Sequence, residues 1–274
     1  MIYAMSDIHG CIEDLQKQME QVDLSGDNRI VFLGDYIDYG DRSYQVLQYI
    51  WELQKKYGDK KVVVLKGNHE QMFLDWIDDY RNIYSDSSED YMTFNAWLRT
   101  DFEQGAKTIS TFISSRQMEF LNQISRTCSM ETINREAVQM ILSRHENLIQ
   151  WIKNMPLYYE SEKQIFVHAG VDEDAGEYWM WGISENTLLG KFPATKGKFY
   201  KTIIAGHVGT GSRDLADDCN YHDVYFDGES HYFVDGSVYK GGKLILLAYD
   251  EDEDKYYQIE NGRKIPVKKF LKYS

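Results

Sequence analysis

Apolar positions early in the chain gather into three short runs separated by segments of a different period. Met1 to Met5 and Arg29 to Leu33 are brief and largely apolar, and Lys61 to Leu65 carries the β-branched triplet Val62-Val63-Val64. Runs of this length and make-up predict buried strands. Between them, Ile12, Leu15 and Met19 fall at three- and four-residue steps. So do Leu47, Ile50, Trp51 and Gln54, after Ser43 in the position of a helix cap. Strand, helix, strand, helix, strand predicts βαβ units and a largely parallel sheet.

From Gln71 to about Met155 the pattern is helical, aromatic and polar, with no convincing strand and a loop-like break at Ser85-Asp86-Ser87-Ser88-Glu89-Asp90. It reads as a helical insertion (71–155) within a single domain spanning 1–274. Substrate selection or shielding is one role for it, and plain core coverage is the other. After Pro156 strands return. Gln164 to Val167 leads into His168-Ala169-Gly170, and Thr202 to Ala205 leads into Gly206-His207-Val208-Gly209. His231 to Val234 and Lys243 to Tyr249 are expected to be antiparallel closing strands. Asp172-Glu173-Asp174 and the run Asp250 to Asp254 are expected to be exposed acidic loops.

Composition narrows the class. The chain has 274 residues, 43% of them hydrophobic, which supplies one sizeable core. No stretch approaches the ~18 apolar residues of a membrane span. No cationic segment precedes the first motif, so a secretory leader is not expected. Cys11, Cys128 and Cys219 are scattered without finger spacing, which fits a reducing cytoplasm. The net charge of −14 disfavours nucleic acid as a partner and otherwise reads as solubility. Arg263, Lys264, Lys268, Lys269 and Lys272 make the last segment locally basic, and a solvated terminal face is preferred to a docking patch.

Candidate chemistry sits where the strands end. Asp7 and His9 are close enough for one turn to aim both at one ion, Asp35 can bridge two ions, and Asn68 can offer its amide oxygen to the second. His168 and His207 follow two later strands and complete that second ion. Carboxylate, amide oxygen and imidazole together suit divalent manganese, iron or zinc. In open α/β sheets, ligands gather at the carboxyl ends of strands. One strand-end Asp alone is usually a cap or turn residue. The joint pattern, with glycines beside the candidate ligands, points instead to a dinuclear metal site.

Asp7-Ile8-His9-Gly10, Gly34-Asp35-Tyr36-Ile37-Asp38 and Gly67-Asn68-His69-Glu70 resemble the three signature blocks of the PPP-type serine/threonine phosphatases, within the calcineurin-like metallophosphoesterases. His168-Ala169-Gly170 and Gly206-His207 resemble that family's later histidine blocks, with the nearest likeness to its bacterial branch, related to diadenosine tetraphosphate hydrolases. The resemblance implies an α/β fold, a four-layer α-β-β-α sandwich of mixed sheets with a helical insertion. It implies two divalent metal ions, manganese foremost, held by Asp7, His9, Asp35, Asn68, His168 and His207. It also implies that His69 protonates the leaving oxygen, Asp38 orients His69, and activated water attacks phosphorus without a phosphoenzyme. The implied activity is that of a metal-dependent phosphomonoesterase, foremost a serine/threonine protein phosphatase. A dinucleoside polyphosphate hydrolase is the alternative, and a metal- or phosphate-binding module with weakened catalysis stands behind both.

The chain departs from the family at two places. The family's Asp-Arg-Gly is Asp38-Tyr39-Gly40 here, so Arg42 or the Tyr39 hydroxyl is the candidate phosphate contact, and Arg42 reads equally well as a surface partner of Asp41. The stretch Trp181 to Lys201 lacks the family's second arginine, leaving Lys191, Lys196, Lys198 or Lys201, none of which makes a planar two-point contact. His145, His222 and His231 read as structural or surface residues, with His222 able to approach the site. Trp179 and Trp181 read as a loop tucked into the core, against the alternative of stacking on an adenine.

Overall fold

The computed structural model describes residues 1–81 and 102–271. Its first sheet contains β1 (Ile2–Met5), β2 (Arg29–Phe32), β3 (Val62–Val64), β9 (Leu247–Asp250), β10 (Lys255–Glu260) and β11 (Arg263–Pro266), in the order β11-β10-β9-β1-β2-β3. β1, β2 and β3 pair in parallel, while β9, β10 and β11 are antiparallel. The second sheet contains β4 (Tyr158–Glu160), β5 (Gln164–Val167), β6 (Thr202–Ala205), β7 (Tyr225–Phe226) and β8 (His231–Phe233), in the order β4-β5-β6-β8-β7.

Alternation along the strands sorts the core into three layers. Tyr3, Met5, Ile30, Phe32, Val62 and Val64 face the helices α1 (Ile12–Met19), α2 (Ser43–Tyr57), α3 (Asn68–Arg81) and α6 (Met130–Lys153). Their neighbours Ile2, Ala4, Val31, Leu33, Val63 and Leu65 turn the other way and meet Phe166, Ile204, Tyr232 and Val234 of the second sheet. That sheet's outer residues, Ile165, Val167, Ile203, Ala205 and Phe233, pack under Trp179, Leu215 and Leu188 of α7 (Glu185–Gly190). The parallel strands are apolar on both faces because both faces are covered. The result is the expected four-layer α-β-β-α sandwich.

Between β3 and β4 the described residues are helical: α3, α4 (Phe102–Phe112), α5 (Ser115–Ile124) and α6. Ser114 and Gln117 form a reciprocal capping box at the start of α5, and Ser129 accepts the Thr132 N–H at the start of α6. The expected break at 85–90 lies outside the described residues, as does Lys272.

Local expectations fail in three places. Ser43 is the first residue of α2, not its cap; its hydroxyl instead accepts the N–H of Asp38 at 3.1 Å. β8 runs parallel to β6 and antiparallel only to β7, a pairing set by the crossover and invisible in the strand's own residues. Glu173 is not a solvated loop residue: it opens a 3₁₀ turn (Glu173–Tyr178) and pairs with Lys191 and His231.

Candidate metal centre and general acid

The ends of β1, β2, β3, β5 and β6 point to one place, and each candidate residue reaches it from the turn that follows. Asp35 sits in the middle. Its Oδ1 lies 3.4 Å from His168 Nε2, and its Oδ2 lies 3.7 Å from His9 Nε2 and 3.8 Å from His69 Nε2. His9 Nε2 is 3.9 Å from Asp7 Oδ1. Asn68 Oδ1 lies 2.9 Å from His168 Nε2 and 3.1 Å from His207 Nδ1. Two groups able to hold an ion result, His9-Asp35-His69 and Asp35-His168-His207, with Asp35 common to both. Asp7, His9, Asp35, Asn68, His168 and His207 are thus gathered in one cluster.

The backbone there adopts conformations that side-chain-bearing residues rarely take. Asp7, His9, Asp35, Asp38, Tyr39 and His207 have φ of 55°, 46°, 58°, 70°, 60° and 63°. A left-handed residue with a Cβ costs about 1 kcal/mol or more, and such residues concentrate at functional sites. Two glycines make the close approach possible. A Cβ on Gly67 would lie 2.2 Å from Asp35 Oδ1, and one on Gly206 would lie 2.2 Å from Asp7 Oδ2.

The donor chemistry fits divalent cations. His9 Nδ1 faces the Ile37 carbonyl at 2.8 Å and His168 Nδ1 faces that of Leu33 at 3.0 Å. A ring nitrogen that donates to a carbonyl leaves the other nitrogen as a lone pair, the arrangement usual for imidazole ligands. Here those second nitrogens, two carboxylates and an amide oxygen all face inward, so acceptors meet acceptors unless a proton or a cation lies between them. In the bare protein, protons carry that burden. Burial disfavours charge on His168, yet the Asp35 carboxylate opposite outweighs it and holds the imidazole up at about 9. Burial, joined by the Asp235 charge, pushes the Asp7 carboxyl well above its usual range. Burial brings His9 and His207 down to about 4.

His69 and Asp38 form a pair at the rim. His69 Nδ1 and Asp38 Oδ2 are 2.6 Å apart, and His69 Nε2 faces the cluster. Burial works against the imidazolium, but Asp35 and Asp38 overcome it and hold His69 up at about 9.

Of the candidate phosphate contacts, Tyr39 is at the cluster and Arg42 is exposed, with no ion pair to Asp41 among the described residues. The lysines have other partners: Lys191 bonds Val171 O and Glu173, Lys196 bonds Asp214 O, and Lys201 bonds Glu160 and Ser161 O, while Lys198 is exposed. Trp179 is buried in the outer core as expected, but Trp181 is 80% exposed against Tyr178 and is not tucked into the core.

Sequence reasoning passed over four residues here. Glu70, fully buried, accepts the N–H groups of Asp35, Tyr36, Ile37 and Gly67. Asp235 is buried after β8, where an Asp beside a Gly at the end of an apolar strand repeated the signal already read at Asp35. Tyr239 stacks on Tyr39 with ring centroids 4.2 Å apart and meets His9 edge-on at 4.7 Å. Thr108 of α4 bonds Asp38. The last two reach the cluster from sequence-distant segments, and no local signal marks them.

A two-sheet sandwich with acidic and imidazole ligands at its strand ends defines a metal-binding hydrolase of phosphoesters. The family model described as calcineurin-like phosphoesterase matches residues 1–211, and the chain belongs to that family. A Caenorhabditis elegans protein provisionally named serine/threonine-protein phosphatase C06A1.3 is 32% identical over 69 residues, which are 25% of this chain and 19% of that one. A cold-active protein-tyrosine phosphatase from a psychrophilic Shewanella superposes with a TM-score of 0.58 at 15% identity, covering 97% of this chain and 80% of the other. A structure provisionally described as a diadenosine tetraphosphatase gives 0.52 at 13% identity over 94% and 92%. These superpositions establish the shared fold. No helix among the described residues is long and apolar enough to cross a membrane.

Proposed function

We propose that the chain is a metal-dependent phosphomonoesterase acting on phosphoserine or phosphothreonine in proteins. The observation that carries this reading is the 2.6 Å contact between His69 Nδ1 and Asp38 Oδ2, with His69 Nε2 turned toward the acceptor cluster. Asp7, His9, Asp35, Asn68, His168 and His207 would hold two divalent cations, manganese foremost. When bound, these would acidify water and offset the charge of the phosphoryl group. His69 holds a proton at Nε2 and gives it to the leaving oxygen as the P–O bond breaks, while the water oxygen forms the new bond to phosphorus. An alkoxide is a poor leaving group, so this proton matters most for serine and threonine esters. Asp38 holds the imidazole in direction through Nδ1.

A second reading, hydrolysis of a dinucleoside polyphosphate, is favoured by the stacked Tyr39 and Tyr239 beside the cluster, an aromatic face on which a base can lie. The test starts from p-nitrophenyl phosphate, with chelator-treated protein, added manganese and the Asp35→Asn variant. Manganese-dependent turnover lost in the variant supports a metallophosphoesterase; no turnover despite two bound ions per chain rejects it. Phosphopeptide and diadenosine tetraphosphate compared at equal concentration then separate the two substrates.

A further inference from the structure

Helix α4 meets the Asp38 loop with three side chains. Lys107 Nζ donates to the Tyr39 carbonyl at 2.6 Å, and Thr111 Oγ1 accepts the Tyr44 N–H at 3.1 Å. Between them Thr108, fully buried, donates from Oγ1 to Asp38 Oδ1 at 2.5 Å. Ser43 Oγ lies 3.2 Å from the Thr108 hydroxyl and accepts the Asp38 N–H. The proton directions follow from the acceptors. Thr108 gives its one hydroxyl proton to Asp38, so Ser43 gives its own to Thr108.

We propose that Thr108 is a positioning residue for the general acid, and that α4 of the helical segment thereby sets the alignment of His69. The inference rests on the phosphoesterase reading above. The physical reason is torsional. The terminal torsion of an aspartate is broad, so one hydrogen bond through Oδ2 leaves the carboxylate plane free to rotate. Anchoring Oδ1 as well fixes the plane, and with it the line from Asp38 Oδ2 through His69 Nδ1 to Nε2. Hydrogen bonds in such a chain also reinforce one another in a low-dielectric setting.

The experiment exploits leaving-group chemistry. Phenolate is a basic leaving group that gains from protonation, whereas p-nitrophenolate leaves readily without it. With manganese-loaded protein, Thr108→Val is expected to cut kcat on phenyl phosphate by on the order of tenfold or more. On p-nitrophenyl phosphate the loss should stay within about threefold, and Thr108→Ser, which keeps the hydroxyl, should remain within about twofold of the parent on both. Equal losses on the two esters, or none on either, would overturn the inference. A second readout needs no metal and no turnover: the low-field proton resonance of His69 Nδ1, identified by its absence in His69→Asn. It should move upfield in Thr108→Val and stay in place in Thr108→Ser. An unmoved resonance in Thr108→Val overturns the positioning role even in an active enzyme. A parent protein that hydrolyses neither ester overturns the phosphoesterase reading itself, and this inference with it.

Discussion

The buried carboxylate of Glu70 accepts the backbone N–H of Asp35 at 2.8 Å, tying the start of α3 to the turn after β2. The same carboxylate takes the N–H groups of Tyr36, Ile37 and Gly67. It therefore holds Asp35 in its left-handed conformation without touching the inner face of its side chain. In Glu70→Gln one acceptor oxygen becomes an N–H₂ group facing N–H donors. Each buried donor left without a partner costs about 1–3 kcal/mol, so denaturant unfolding should show a loss of several kcal/mol. Manganese affinity measured by calorimetry should fall with it. A variant as stable as the parent would mean that solvent satisfies those amides.

Cation loading should register as stability. In the bare protein Asp7, Asp35 and Asn68 meet imidazoles, His9 Nε2 for the two carboxylates and His168 Nε2 for the amide, and a cation would take over the contacts that protons now bridge. A site occupied at a hundredfold excess over its dissociation constant adds about 2.7 kcal/mol. For a chain of this size that is roughly 5–10 °C in Tm. Calorimetric scans of chelated and manganese-supplemented protein should differ by this amount, and the difference should vanish in Asp35→Asn. Equal melting of loaded and chelated parent protein would argue against tight binding.

Tyr39 occupies the position of the family's arginine and stacks on Tyr239. Tyr39→Arg restores a planar, charged donor that binds phosphate at two points. The backbone φ of 60° is as accessible to arginine as to tyrosine, so the fold should tolerate it. Inorganic phosphate should then inhibit about tenfold more tightly, as one charge-assisted hydrogen bond would give. Unchanged inhibition would place the phosphate out of reach of residue 39.

A second ionic cluster, away from the acceptor site, predicts a pH window. His231 Nδ1 lies 3.0 Å from Asp227 Oδ2, and its Nε2 lies 3.5 Å from Glu173 Oε1. Burial lowers the His231 pKa, but Asp227 and Glu173 reverse that and leave it above the usual 6.5. A raised histidine contributes stability that is complete below the unfolded value and is lost as pH rises through the folded one. Burial opposes charge on Asp227 too, but its bonds to His231 and to backbone N–H groups bring it down to about 2 from 3.8. That contribution is present above 3.8 and is lost as pH falls toward 2. The network is therefore strongest between the two, and His231→Gln should destabilise more at pH 5.5 than at pH 9. Equal penalties at both values would show that the imidazole acts here as a neutral packing group.

Much of this was legible in the residues because the signals were local. Val62-Val63-Val64 is apolar on both faces, and only a strand covered on both sides needs that. Strand-end Asp and His beside Gly marked the cluster. The failures were topological. β11 is exposed along its length, so its side chains carry no strand signal and only its ladder to β10 defines it. Ser43 looked like a cap because serine before an apolar period usually is one; in the fold its hydroxyl has a better partner in the Asp38 N–H. Asp235 escaped notice because it follows a strand expected to be antiparallel, whereas the direction of β8 is fixed by β6, not by its own sequence.

The cluster draws on both sheets: Asp7, Asp35 and Asn68 follow strands of the first, His168 and His207 strands of the second. A domain generally folds as a unit. His207 leaves the ribosome 200 residues after Asp7, so the cluster cannot be whole until the second sheet has been made. Completion of the proposed second ligand set is thus a late event in the chain's birth, and a cation seated there would certify that the two sheets have closed face to face.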